Sequence, residues 1–177
     1  MKPYKLVPNT HMGLKRPTQA FDFENPQMDP VELFERLKAT LIEQRGVGLS
    51  ANQCGINLSV FVIGFPDTPE GIVPVFNPTI VNYSDEVLTE EEGCLSYPGM
   101  FIPVKRPVSI RARFSNYEGK TITKNMSDMT SKCFQHEYDH LIGINFLSRA
   151  SSVHVERAKR QKKKLDRLRK RNKSNML

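Results

Sequence analysis

His136, Glu137 and His140 stand in the stretch QHEYDH as H-E-x-x-H, a spacing suited to metal chemistry. On a helix, residues i and i+4 share one face, so both imidazoles can reach a single ion. Glu137 follows the first histidine and can reach a water on that ion as general base. The chain has only four histidines, so a surface helix carrying this spacing by chance is the weaker explanation. Two histidines do not complete a site, and the third ligand decides the chemistry.

Some metalloproteases extend the motif to a third histidine at a fixed distance. Here Gly143 is in place, but Phe146 occupies the ligand position and cannot bind a metal. A glutamate from a later helix would have to be Glu156, and the other downstream carboxylate is Asp166; both lie in a basic tail. Cys133 falls on the histidine face but sits about 10 Å from His140 along the axis at roughly 1.5 Å per residue. Three side chains on one straight helix cannot surround an ion, so Cys133 reads as a buried residue of the pocket wall. Cys54 and Cys94 remain. Cys94, in EEGCLSYPG, follows a glycine that permits close backbone approach and precedes a turn. A thiolate held there at a strand end can face the helix, whereas nothing in the flanks of Cys54 favours it over packing.

Several elements must position these groups. Asp29-Pro30-Val31-Glu32 predicts a helix start, with apolar residues at Leu33, Phe34, Leu37, Leu41 and Ile42 and a stop at Gly46. Ser59–Phe65, Ile72–Tyr83 and Val108–Phe114 are β-rich runs, and Asn116–Thr123 carries a hairpin signal at Glu118-Gly119. A second helix should begin near Ser127 or Asp128, carry His136 and His140, and stop at Gly143. A third should begin near Ser151 or Ser152. The expected fold is α+β: an N-terminal helix, several antiparallel strands, the H-E-x-x-H helix and then a basic C-terminal helix. Residues 1–150 read as one metallohydrolase domain and 151–177 as a basic tail.

Three blocks, GVGLSANQ (Gly46–Gln53), EGCLS (Glu92–Ser96) and QHEYDH (Gln135–His140), together resemble the three motifs of the peptide deformylases in order and spacing. The resemblance runs from about Met12 to Leu147. It implies hydrolysis of the formyl group from N-formylmethionine at the start of nascent polypeptides, with release of formate. Carried over by position, Cys94, His136 and His140 would hold the metal and Glu137 would be the general acid/base. Gln53 and the Leu95 N–H would stabilise the oxyanion. Val47, Gly48 and Gly93 would line the peptide cleft, with Leu95, Cys133 and His136 walling the methionine pocket. The resemblance also implies one divalent ion per chain, Fe²⁺ in vivo, with Zn²⁺, Ni²⁺ or Co²⁺ accepted.

Three positions depart from the family pattern. Ser50 stands where alanine is usual, Phe101 lies near a usual arginine, and Lys132 replaces an apolar residue and is expected to point to solvent. A general metalloprotease would need the missing third ligand. A catalytically dead RNA-binding protein on this fold would have lost Glu137, Gln53 or a ligand, and all are present.

The chain of 177 residues carries a formal charge of +7, which is unevenly spread. Residues 156–173 hold 11 Lys/Arg against 2 Asp/Glu, a local +9, leaving the body near −2. By resemblance, this tail would dock on the ribosome, against rRNA and exit-tunnel proteins, by charge attraction. Three cysteines and no export signal suggest a cytoplasmic protein without a disulfide framework, and no apolar run suggests a membrane partner.

Overall fold

Asp29 caps the first long helix, α1 (Pro30–Gln44), accepting a 2.7 Å hydrogen bond from the Glu32 N–H. Leu33, Leu37 and Leu41 repeat along one face and are fully buried. The helix stop differs from the expectation. Arg45, not Gly46, takes the left-handed conformation (φ 53°), and the Gly46 N–H returns to Leu41 O. Gly46 is crowded instead: a Cβ there would lie 2.8 Å from Leu95 Cδ1 and would push that side chain aside. The computed structural model from which these features come describes residues 1–174, with side chains through Leu168.

Seven strands follow: β1 (Gly48–Ser50), β2 (Val60–Ile63), β3 (Val73–Tyr83), β4 (Val87–Gly93), β5 (Phe101–Pro107), β6 (Ser109–Ser115) and β7 (Thr121–Ser127). Five form an antiparallel sheet in the order β1-β2-β3-β6-β7, and β4 and β5 form a separate ribbon. The expected hairpin joins β6 to β7, with Gly119 at φ 79°. Two more helices are α2 (Asp128–Leu141) and α3 (Ser152–Ser174).

Successive residues of a strand point to opposite faces, and β2 uses both. Val60 and Val62 join the cluster under α1, while Phe61 and Ile63 join the one under α2. The two helices therefore cover opposite sides of the sheet. Phe134 of α2 meets Phe61 edge-on at 5.0 Å between ring centres, which turns His136, Glu137 and His140 towards β1 and the ribbon. A third cluster gathers Ile102 and Val104 of the ribbon with Met100 just before it, Phe146 and Ala158. Phe146, where a longer protease motif would place a ligand, is thus a core residue. The fold is α+β, as expected.

The ribbon is fastened to α2 by charge. Arg106 on β5 binds Glu92 on β4 (Nη2 to Oε2, 3.0 Å) and Asp139 on α2 (Nη1 to Oδ2, 2.9 Å), all buried. Arg106→Leu would leave Glu92 with His136 alone and Asp139 with the part-exposed Arg149 alone, so both buried carboxylates would lose their buried guanidinium. The expected result is a loss of about 3–5 kcal/mol in a urea unfolding titration.

Candidate metal centre

Cys94 follows the last residue of β4, so the ribbon delivers its sulfur to α2. Cys94, His136 and His140 bring one ligand atom each within 4.8 Å of one another. His140 Nε2 lies 3.2 Å from Cys94 Sγ. His136 Nδ1 is 3.0 Å from Glu92 Oε2, which leaves its Nε2 for the shared space. A carboxylate behind a ligating imidazole fixes ring orientation and tautomer. Burial by itself would raise the Glu92 carboxyl, but its bonds from His136 and Arg106 outweigh this and hold it at about 2. The orienting group is therefore a carboxylate at any working pH.

The residues fit a metal. One thiol and two imidazoles are donors that suit zinc, iron, cobalt and nickel, and no single one of these is selected by type. Burial lowers the basicity of His136, yet its hydrogen bonds with Cys94 and Glu92 outweigh this and raise it to about 10, so an ion must displace a proton there. His140 Nδ1 and Glu137 Oε2 are buried without a hydrogen-bond partner, as expected beside a site that takes further polar groups. Burial pushes the Glu137 carboxyl up to about 7, opposed by His136 and Ser50. A carboxylate tuned near neutrality can both take and return a proton.

Gln53 lies in the 3-10 turn Ala51–Cys54 after β1 and is buried. Its Oε1 accepts from Ser50 N and Oγ, both at 3.0 Å. Its Nε2 donates to Ser96 Oγ at 3.0 Å and lies 3.5 Å from Cys94 Sγ. The carboxamide is thus aimed at the Cys94 loop. Ser50, where alanine is usual in the family pattern, adds its hydroxyl to the backbone N–H in holding Gln53. Asn52 ties the same turn to α2 by donating to His140 O at 2.7 Å.

A groove of about 440 Å³ opens in front of the cluster. Val47, Gly48, Gly93, Leu95 and Cys133, the expected substrate contacts, all line it with Cys94, His136 and Glu137. The Cys133 thiol donates to Val47 O at 3.2 Å and stands outside the ligand cluster. Cys54 packs against the α1 core, and burial pushes its thiol up to about 12, so it is no competing ligand. Lys132 contradicts its expectation. It also lines the groove and pairs with Glu90 at 2.9 Å instead of pointing freely to solvent.

Sequence reasoning missed Glu92, Ser96 and Arg106. Glu92 had a visible signal, since it lies two residues before Cys94 and shares its strand face. Arg106 had one too: Ile102, Val104 and Arg106 alternate inward, so the charge falls in an apolar phase.

A helix bearing two imidazoles and a base, completed by a thiol from a separate ribbon, defines a single-metal hydrolase. The family model for polypeptide deformylase matches residues 3–156. The peptide deformylase of Novosphingobium aromaticivorans is 36% identical over 173 residues, covering 80% of this chain and 89% of that protein. The crystal structure of peptide deformylase from Thermotoga maritima superposes with a TM-score of 0.79 at 29% identity, covering 85% of this chain and 99% of the other. A Met-Ala-Ser-bound structure of the Acinetobacter baumannii class I type b enzyme gives 0.76 at 26% identity, covering 83% and 98%. The chain belongs to the polypeptide deformylase family. It is a metal-dependent hydrolase that removes the N-formyl group from nascent peptides.

Proposed function

We propose that Cys94, His136 and His140 hold one divalent ion, Fe²⁺ in vivo, and that Glu137, Gln53 and the Leu95 N–H carry out deformylation beside it. The observation that carries this is the convergence of the three ligand atoms next to a buried, unpartnered Glu137 oxygen. When bound, the ion supplies Lewis acidity and lowers the pKa of a water. Glu137 takes a proton from the attacking water as its oxygen adds to the formyl carbon. It then gives the proton to the amine nitrogen as the C–N bond breaks, leaving formate and a free N-terminus. Gln53 Nε2 and the Leu95 N–H donate to the formyl oxygen as it becomes negative, each worth about 3 kcal/mol. The peptide runs along the Val47-Gly48 edge, with its first side chain against Leu95, Cys133 and His136. The Met-Ala-Ser-bound relative supports a peptide in this groove.

Formate release from formyl-Met-Ala-Ser by anaerobically prepared protein tests the reading. Activity should track iron content. Protein that binds only zinc and gains nothing from iron would overturn the choice of metal.

The basic tail is proposed to dock on ribosomal RNA and exit-tunnel proteins, with action in the cytoplasm. Helix α3 is 23 residues, roughly 34 Å long at 1.5 Å per residue. Ala158 is buried and Val155 partly so against the ribbon core, while Leu165 and Leu168 are exposed beyond them. Lys159, Arg160, Lys163, Lys164 and Arg167 are exposed along the same stretch. The side chains of Arg169, Lys170, Arg171 and Lys173 lie outside the described residues. Among the described residues no helix is long and apolar enough to cross a membrane. Truncation after Gln161 spares the buried Ala158 and should abolish salt-sensitive co-sedimentation with ribosomes while leaving tripeptide activity intact. Equal co-sedimentation with and without the tail would overturn the docking role.

A further inference from the structure

Lys132 stands between two cavities. It lines the groove in front of the Cys94–His136–His140 cluster, and with Met129 and Glu90 it also lines a second cavity of about 260 Å³ between α2 and the ribbon. On α2, His136, Cys133, Lys132 and Met129 descend one side of the helix, so the last two lie about 6–10 Å from the metal-binding end at 1.5 Å per residue. That is where a side chain entering past Leu95 and Cys133 would end. The Lys132 side chain is only 16% exposed, and its ammonium is held by Glu90 on β4 at 2.9 Å. The pair therefore spans from α2 to β4, with Lys132 lining both cavities and Glu90 lining the second. Glu90 is 46% exposed, so the pair adds little stability, and its effect is to hold the lysine stem in one place.

We propose that the Glu90–Lys132 pair is a specificity device: it closes the far end of the pocket for the substrate's first side chain and so sets the length that fits. The inference rests on the substrate placement proposed above. A straight side chain of methionine length stops at the lysine stem, whereas an aromatic side chain needs the space behind it. No new catalytic group is involved, so the effect falls on discrimination between substrates.

The test compares kcat/KM for formyl-Met-Ala-Ser and formyl-Phe-Ala-Ser. Lys132→Ala should raise the Phe/Met ratio roughly tenfold, mainly through a lower KM for the Phe peptide. Lys132→Arg, which keeps a stem and a partner for Glu90, should retain the wild-type ratio. Glu90→Ala, at a half-exposed position, should shift the ratio in the same direction by roughly threefold and decides the matter if Lys132→Ala misfolds. A ratio unchanged within twofold in both alanine variants, with formyl-Met activity present, overturns the inference alone. Failure of the wild-type protein to release formate from either peptide overturns the underlying catalytic assignment instead.

Discussion

Glu137→Ala should lower kcat for formyl-Met-Ala-Ser by about 10³-fold, within the 10²–10⁴ range of a positioned general acid–base. Metal content should stay at the wild-type level, because Glu137 is not among the three clustered ligand residues. KM should change little, since in the proposed mechanism the carboxylate acts on the proton in flight and the groove holds the peptide. Steady-state formate release with a metal assay on the same sample separates the two effects. A variant that lost metal in parallel with activity would show Glu137 to be a structural support. Its burial and unpartnered Oε2 argue otherwise, because a purely structural carboxylate would have its hydrogen bonds satisfied.

Gly48→Ala should be nearly as damaging, through geometry and not through loss of a functional group. A Cβ at position 48 would fall 2.5 Å from Glu137 Oε1 and 2.7 Å from Cys133 Sγ. Cys133 is pinned to Val47 O and packed into the core, so the Glu137 carboxylate must yield. A displacement near 1 Å at a reacting group costs on the order of 10²-fold in rate. Overpacking adds a stability loss of about 1–3 kcal/mol. The kcat of Gly48→Ala should therefore fall about 10²-fold, with a lower midpoint in thermal unfolding. Wild-type kcat in a folded variant would mean that the base tolerates movement.

Much of the site was legible because its chemistry depends on spacing. His136, Glu137 and His140 are fixed by helical periodicity, and Phe146 excludes the longer motif by residue type. Cys133 is set aside by the reach of a straight helix, and the structure places it on the groove wall. The three-block resemblance then supplied Gln53, Leu95 and the glycine edge, which no periodicity argument could reach. The β4–β5 ribbon was less legible. Strand β4 reads VLTEEEG and is exposed along most of its length, so it lacks the apolar alternation that marks a strand. Glu92 and Arg106 went unnoticed with it, since their roles exist only once the ribbon lies across α2. Lys132 was misjudged for the same reason: its partner Glu90 is 42 residues away in sequence. Gly46 shows a smaller version of the problem. It was read as a helix stop, and the crowding by Leu95, 49 residues away in sequence, could not be seen.

The ligand set also has a topological meaning. The ribbon shares no strand pairing with the five-stranded sheet, yet it supplies the sulfur, while α2 supplies both imidazoles. An ion at this position is therefore a cross-link that closes a loop of 46 residues between Cys94 and His140. By the chain-entropy reasoning used for a disulfide, such a closure is worth up to about 4 kcal/mol. With the ion absent, the ribbon is held by the Arg106 ion pairs and the contacts around Phe146. An ion held there would thus both serve the proposed reaction and staple together the two parts of the chain that surround it.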